Sequence, residues 1–288
     1  MTPSRPRVLV NSLPKSGTHL LAQAVDLLGF PEHPDAQYGG GPPTDLPPFL
    51  NYREVREALA GQGQSTIPPE TETIRVGSLT PCPVPVSSLR TWLGALPAGH
   101  FILGHVLHSP ALGPLLAELD YRQVFILRDP RAVVASLLAF ILDTGRMPRR
   151  HFLEADLRAL APGERLNFIL AGGYAPRAGV QVVGFAAVYR AALEWRESDC
   201  LWLRYEDLVG ERGGGSREAQ RQAMERLAGH LGVAMDEAQL SELYNPAART
   251  FRTGSIDGWR QALASAERDR LEAVCAPLCA EAGYEVAA

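Results

Sequence analysis

A chain of 288 residues with 46% hydrophobic and 21% charged residues can bury a full core and has the make-up of neither a disordered segment nor a coiled coil. Its formal net charge of −4 argues against broad nucleic-acid binding, although a local anion pocket needs only a few placed cations. No stretch approaches the roughly 18 uninterrupted apolar residues that span a bilayer. The apolar run behind Met1–Arg7 stops after three residues, too short for a secretory signal, so the chain reads as cytoplasmic with no integral membrane contact.

The first element in chain order is a buried strand at Arg7–Val10. It runs through a tight loop, Asn11 to Gly17, into an amphipathic helix at Thr18–Leu28, whose stripe is Leu20, Leu21, Ala24, Val25 and Leu28. A strand, loop and helix in that order present free backbone N–H groups and a positive helix end to one point, which makes an anion site. Gly17 lets the backbone approach closely, Lys15 supplies a mobile charge, and Ser16, Thr18 and His19 add donors. The segment is not a Walker A motif, because the lysine precedes the glycine.

Residues 31–85 follow as a long irregular insertion rich in Pro and Gly, with one short helix at Tyr52–Ala60. A second strand, Phe101–Gly104, delivers His105. A third, Gln123–Leu127, delivers Arg128 at its C-terminal end, the edge at which open α/β sheets bind ligands. Asp129 and Pro130 suit the cap and first turn of the next helix, Pro130–Leu142, on which Ser136 lies either as a ligand or as a small core residue. A second irregular stretch covers 144–184. A helix at Phe185–Trp195 and a strand at Leu201–Tyr205 come next, and Gly210–Ser216 reads as a flexible surface loop. Strand followed by helix, repeated, predicts a doubly wound α/β fold in one domain over residues 1–288, with a central parallel sheet flanked by helices. Cys82, Cys200, Cys275 and Cys279 lack the ligand set of a metal site and read as buried or idle thiols.

Two segments, Pro14-Lys15-Ser16-Gly17-Thr18 and Arg128-Asp-Pro-Arg-Ala-Val-Val-Ala-Ser136, resemble the cytosolic and bacterial sulfotransferases, which use 3′-phosphoadenosine 5′-phosphosulfate (PAPS) as donor. Three further matches fall in order. They are Gly104-His105 with Ser109-Pro110, Leu203-Arg-Tyr-Glu-Asp-Leu208, and Phe251-Arg-Thr-Gly-Ser-Ile-Asp-Gly-Trp259. The resemblance runs from residue 8 to about 260 and implies a P-loop NTPase-like sheet. It implies that residues 14–18 hold the 5′-phosphosulfate, that Arg128 and Ser136 hold the 3′-phosphate, and that His105 is the catalytic base. Tyr205 would lie near the adenine, and Arg252, Thr253 and Gly254 would close over the 3′-phosphate.

The chain departs from that pattern at three places. His19 and Leu20 stand where animal members often have an adenine-stacking aromatic; Leu103 replaces a lysine; and Thr253 replaces the lysine of Arg-Lys-Gly. The resemblance implies adenosine 3′,5′-bisphosphate (PAP) as product. A small-molecule acceptor is expected because no long basic track for a sulfated polymer appears, and no metal because lysine, arginine and the helix end can supply the positive charge. His108 is a rival base, while His33, His100, His151 and His230 read as surface residues. Glu206 and Asp207 read as structural, because neighbours on an extended strand point opposite ways. Trp195 and Trp259 read as packing residues. The irregular stretches are expected to wall the acceptor pocket with Phe49, Tyr52, Trp92, Phe152, Phe168 and Tyr174 beside Arg146, Arg149 and Arg150. An ATP-dependent phosphotransferase and a non-catalytic nucleotide-binding protein of the same fold remain alternatives, and the oligomeric state stays open.

Overall fold

The computed structural model describes residues 5–33, 46–64, 66–143, 150–243 and 255–286. Its strands are β1 (Arg7–Ser12), β2 (Phe49–Leu50), β3 (Thr73–Val76), β4 (Cys82–Pro85), β5 (Phe101–Gly104), β6 (Tyr121–Leu127), β7 (Gly172–Ala175), β8 (Val180–Val183) and β9 (Cys200–Arg204). Five of them form one parallel sheet in the order β2-β5-β1-β6-β9. The four strands read from the sequence are all present, and β1 lies at the centre. The chain builds outward to one side through β5 and β2 and to the other through β6 and β9. Loops leaving β1, β5 and β6 therefore diverge at the carboxyl edge, where an open α/β sheet forms its crevice.

Both faces of the sheet are buried, which explains the apolar runs without alternation. Leu9, Ile102, Phe125 and Leu127 point into one core, and Val8, Val10, Leu103, Val124 and Ile126 point into the other. The first core is covered by α3 (Val86–Ala95), α4 (Leu112–Glu118) and α5 (Pro130–Leu142), together with helices Phe185–Leu193 and Ser265–Ala282. The second is covered by α1 (Thr18–Leu27) and helices Arg217–Leu231 and Ala238–Leu243. Phe125 lies parallel to Trp195 at 5.7 Å and to Trp202 at 5.1 Å, so three rings brace the sheet beside the crevice. Cys275 and Cys279 are both buried in the first core.

Two regions expected to be irregular contain regular structure. The first supplies β2, the edge strand of the main sheet, then α2 (Tyr52–Gly61) and the antiparallel hairpin β3–β4. A two-residue strand carries no periodic pattern, and Cys82-Pro-Val-Pro85 carries prolines that argue against a central strand. They are accommodated because β4 has a neighbour on one side only. The second contains helices Glu154–Ala159 and Pro162–Ala171 and the hairpin β7–β8. The glycine-rich stretch after β9 is likewise more than a mobile loop. The N–H groups of Gly213 and Gly215 both return to the Gly210 carbonyl, and the Gly213 carbonyl accepts the Ile256 N–H.

Candidate functional site

The loop between β1 and α1 turns tightly: the Ser16 N–H donates to the Leu13 carbonyl, and the Ser12 and Thr18 hydroxyls meet at 2.6 Å. Lys15 and Gly17 both have positive φ, 69° and 106°, so the backbone folds back before the helix starts. At Gly17 only hydrogen fits. A Cβ there would lie 2.6 Å from Tyr205 Cδ2 and 3.2 Å from Ile126 Cδ1. The Lys15 ammonium sits 4.4 Å from the centre of the Phe140 ring, a cation–π contact that keeps the charge at the crevice. Phe140 shares with Ser136, four residues earlier, the less buried face of α5.

His105 begins the turn after β5, and its backbone is fixed on every side. Its N–H donates to the Leu50 carbonyl at 2.9 Å, and its carbonyl accepts the Gly77 N–H at 2.7 Å. The following residue, Val106, is gripped by Asn11, whose side-chain amide donates to the Val106 carbonyl and accepts the Val106 N–H, each at 2.9 Å. Trp195 Nε1 donates to the same carbonyl at 3.1 Å. On the imidazole, Nδ1 lies 2.8 Å from the Ser12 carbonyl oxygen. A carbonyl can only accept, so Nδ1 carries the proton and Nε2 keeps its lone pair. Burial pushes the His105 pKa down to about 4, against the Ser12 hydrogen bond; the charges of His19 and Lys15 push it further down. The ring is therefore neutral near pH 7. Phe49 packs against it with ring centres 4.7 Å apart.

His108 lies elsewhere. Its ring meets the edge of Trp195 at 5.7 Å, and its Nδ1 is 4.0 Å from a Glu194 carboxylate oxygen. His151 corrects the surface reading. It is wedged between Phe140 and Phe152, with ring centres at 5.6 and 4.6 Å, and burial followed by the charges of Arg53 and Lys15 lowers its pKa to about 3. His33 is buried as well, at 6% exposure. His19, at the start of α1, is held to about 4 by burial and then by the Lys15 charge.

Arg128, at the end of β6, is buried with its guanidinium 4.2 Å from the centre of the Tyr205 ring, and its Nη2 donates to the Ser255 carbonyl at 2.7 Å. Tyr205, buried and in contact with Gly17, thus links the β1 loop to Arg128. It opens a short helix, Tyr205–Leu208, instead of ending a strand, so Glu206 and Asp207 lie in a helical first turn. Asp129 accepts the Arg131 N–H as the cap of α5, with Pro130 in the first turn. Arg252, Thr253 and Gly254 lie outside the described residues, as do Arg146 and Arg149. Ser255 and Ile256, the next residues along the chain, are hydrogen-bonded to Arg128 and Gly213 respectively.

The expected acceptor wall is partly regrouped. Phe140, His151, Phe152 and Tyr52 form a continuous aromatic series from Lys15, with Phe152 and Tyr52 at 5.0 Å. The Arg150 carbonyl accepts Arg53. Trp92 instead lies in the core with no exposure, and Tyr174 faces solvent at 62% exposure. Phe168 packs against Gly173 at the β7–β8 hairpin. The sequence reading missed Asn11, although a polar residue closing the run Val8-Leu-Val was its signal. Phe140 carried no such mark.

No family model matches the sequence, and no curated protein matches it. Solved structures do. They include mouse sulfotransferase SULT7A1 complexed with PAP, 14% identical over 95% of this chain and 84% of that one, with a TM-score of 0.53. Retinol dehydratase in complex with androsterone and inactive cofactor PAP is 18% identical, over 96% of this chain and 82% of that one, with a TM-score of 0.51. The same protein with retinol and PAP gives equal values. The chain has the sulfotransferase fold.

The residues at the carboxyl edge of the sheet fit an anionic group by an observation internal to this chain. Ser16 Oγ and Arg128 Nε are buried polar atoms that meet no hydrogen-bonding partner among the described residues. Both belong to the segments that end β1 and β6, and buried donors of this kind are rarely left unpaired. Among the described residues no group of three or more His, Cys, Asp or Glu gathers where a metal ion could sit, and no helix is long and apolar enough to cross a membrane.

Proposed function

We propose that this chain transfers a sulfuryl group from PAPS to a hydroxyl of a small-molecule acceptor. The observation that carries the reading is the convergence of three strand ends. Lys15 follows β1, His105 follows β5 with its Nε2 lone pair available, and Arg128 follows β6 with an unpaired buried donor. The donor supplies the sulfuryl group and a phosphate leaving group. Lys15, Ser16, Gly17, Thr18 and His19 would hold the 5′-phosphosulfate end through the loop N–H groups and the Lys15 charge. Arg128, Ser136, Arg252, Thr253 and Gly254 would hold the 3′-phosphate, with Tyr205 between the two ends.

His105 takes the acceptor hydroxyl proton at Nε2 while the acceptor oxygen bonds to sulfur and the bond from sulfur to the bridging oxygen breaks. The imidazolium so formed is stabilised by Nδ1–H donating to the Ser12 carbonyl. Lys15 opposes the negative charge that grows on the departing phosphate, in a site whose partners are already in place. Burial first, and then the neighbouring cations, hold the His105 pKa low; an anion on the β1 loop opposes those cations and makes Nε2 more basic. Phe49 against His105, and the series Phe140, His151, Phe152 and Tyr52, support an acceptor with an apolar body. Retinol dehydratase holds androsterone or retinol in the similar structures.

The test pairs binding with turnover. His105→Ala is expected to abolish sulfuryl transfer from labelled PAPS while leaving PAP affinity in calorimetry within about twofold, because His105 acts on the acceptor proton and is not one of the residues that hold the donor. Unchanged turnover would remove His105 as the base. Tighter binding of ATP with magnesium than of PAP would overturn the donor assignment.

A further inference from the structure

The peptide group that joins Arg128 to Asp129 is held at both of its polar atoms, by the buried Tyr189 and the half-buried Glu206. Its carbonyl oxygen accepts the Tyr189 O–H at 2.9 Å, and its N–H donates to Glu206 Oε1 at 3.0 Å. The other carboxylate oxygen, Glu206 Oε2, accepts the Tyr284 O–H at 2.9 Å. Burial raises the Glu206 pKa, while the Arg128 charge is near enough to act against that shift. Glu206 is therefore a desolvated acid beside the guanidinium, with each oxygen occupied by a different donor.

Tyr284 comes from the far end of the chain, two residues beyond the helix Ser265–Ala282, and its place is fixed by arginines. Gly283 turns the chain with φ 73°, and the carbonyls around that turn are capped by side chains. Arg204 Nη2 donates to Ala282 and Gly283, while Arg196 donates to Glu281 and Ala282. The Arg204 guanidinium lies 4.9 Å from the centre of the Tyr284 ring. One residue further on, the Glu285 carbonyl accepts Arg131, whose guanidinium is also paired with Asp129. The C-terminal tail thus reaches the Arg128–Arg131 segment directly through Arg131 and by way of Glu206 through Tyr284, while Arg196 and Arg204 hold the turn that precedes it.

A planar guanidinium binds a phosphate well only when its fork is aimed at it. Free rotation of the Glu206 carboxylate, which feels the Arg128 charge, would offer the guanidinium a half-buried anion in competition with any phosphate. The Tyr284 O–H restrains that rotation by occupying Oε2. We propose that Tyr284 and Glu206 are positioning residues for the 3′-phosphate of the donor. They hold the Arg128 peptide and keep the Glu206 carboxylate off its guanidinium, so the C-terminal tail sets donor affinity. The inference rests on the reading of Arg128 as the 3′-phosphate ligand.

The experiment uses the full chain and calorimetric titration with PAP and with adenosine 5′-monophosphate, which lacks the 3′-phosphate. Tyr284→Phe is expected to weaken PAP about tenfold, the worth of one charge-assisted contact, and to leave adenosine 5′-monophosphate within about twofold. The KM for PAPS should rise with kcat preserved. Adding Glu206→Gln to Tyr284→Phe keeps an acceptor for the Asp129 N–H and removes the competing charge, so PAP affinity should return. Arg128→Ala serves as the reference and should weaken PAP selectively. Equal weakening of both nucleotides by Tyr284→Phe, or no weakening of either while Arg128→Ala remains selective, overturns the positioning role. A double variant as weak as Tyr284→Phe also overturns it. If Arg128→Ala binds PAP like the parent, the reading of the site itself fails.

Discussion

Replacing Gly17 with alanine tests whether the tight approach of Tyr205 to the β1 loop is a structural requirement. Two costs add at that position. The residue has φ 106°, where an alanine loses about 1–2 kcal/mol through contact of its Cβ with its own backbone. The same Cβ meets Tyr205 Cδ2 at 2.6 Å and Ile126 Cδ1 at 3.2 Å, an overpacking that costs about 1–3 kcal/mol in a filled interior. Gly179, in the β7–β8 turn, is the matched control. Its φ is 65° and a Cβ there meets nothing within 4 Å, so Gly179→Ala carries only the backbone cost. Urea titration should separate the two variants by about 1–3 kcal/mol, and thermal melts by roughly 2–12 °C, at 2–4 °C per kcal/mol for chains approaching this length. Tyr205 also lies beneath Arg128, so the relief of the clash should displace the guanidinium and weaken PAP in the Gly17 variant alone. Equal losses of stability in the two variants, with PAP affinity intact in both, would refute the steric argument.

Acid should act through the buried histidines. An unfolded chain takes up protons below about pH 6.5, whereas the folded chain holds them off His105 and His19 until about 4, so these groups lower stability as the pH falls through that window. Glu32, raised to about 7 by burial and then by Asp26, acts in the opposite direction, as does Glu206. Comparison with His105→Asn isolates one contribution: the variant should gain stability relative to the parent between pH 6.5 and 4, read from urea midpoints, and a difference independent of pH would count against the buried neutral imidazole. Asn11→Leu removes both contacts to Val106 and leaves its N–H unpaired, so it should cost about 1–3 kcal/mol. Turnover should fall with PAP affinity unchanged; full activity would show that the turn after β5 keeps His105 in place without Asn11.

What the sequence made legible, and what it hid, divides along a physical line. Long-period features were readable because they repeat: β1, β5, β6 and β9 are apolar runs with cores on both faces, and α1, α5 and Phe185–Leu193 carry a helical stripe. Contacts made once across great sequence separation left no pattern. Tyr284 reaches Glu206 across 78 residues, and Tyr189 reaches Arg128 across 61. Each is an ordinary tyrosine until the fold brings it to the β6 edge. Glu206 was read as structural from an alternation along a strand, where the chain in fact forms a helical turn. Its two oxygens serve Asp129 and Tyr284, so a residue set aside as structural lies one hydrogen bond from the peptide that bears Arg128. His105 and Arg128 share a design that motif spacing could not reveal. At each, the side chain proposed to react or to bind is carried by backbone held from both sides, by Asn11 and Trp195 at Val106 and by Tyr189 and Glu206 at the Arg128 peptide. A motif names the residue that touches the ligand; the partners that aim it are chosen by topology, and the parallel order β5-β1-β6 brings both sets to one edge.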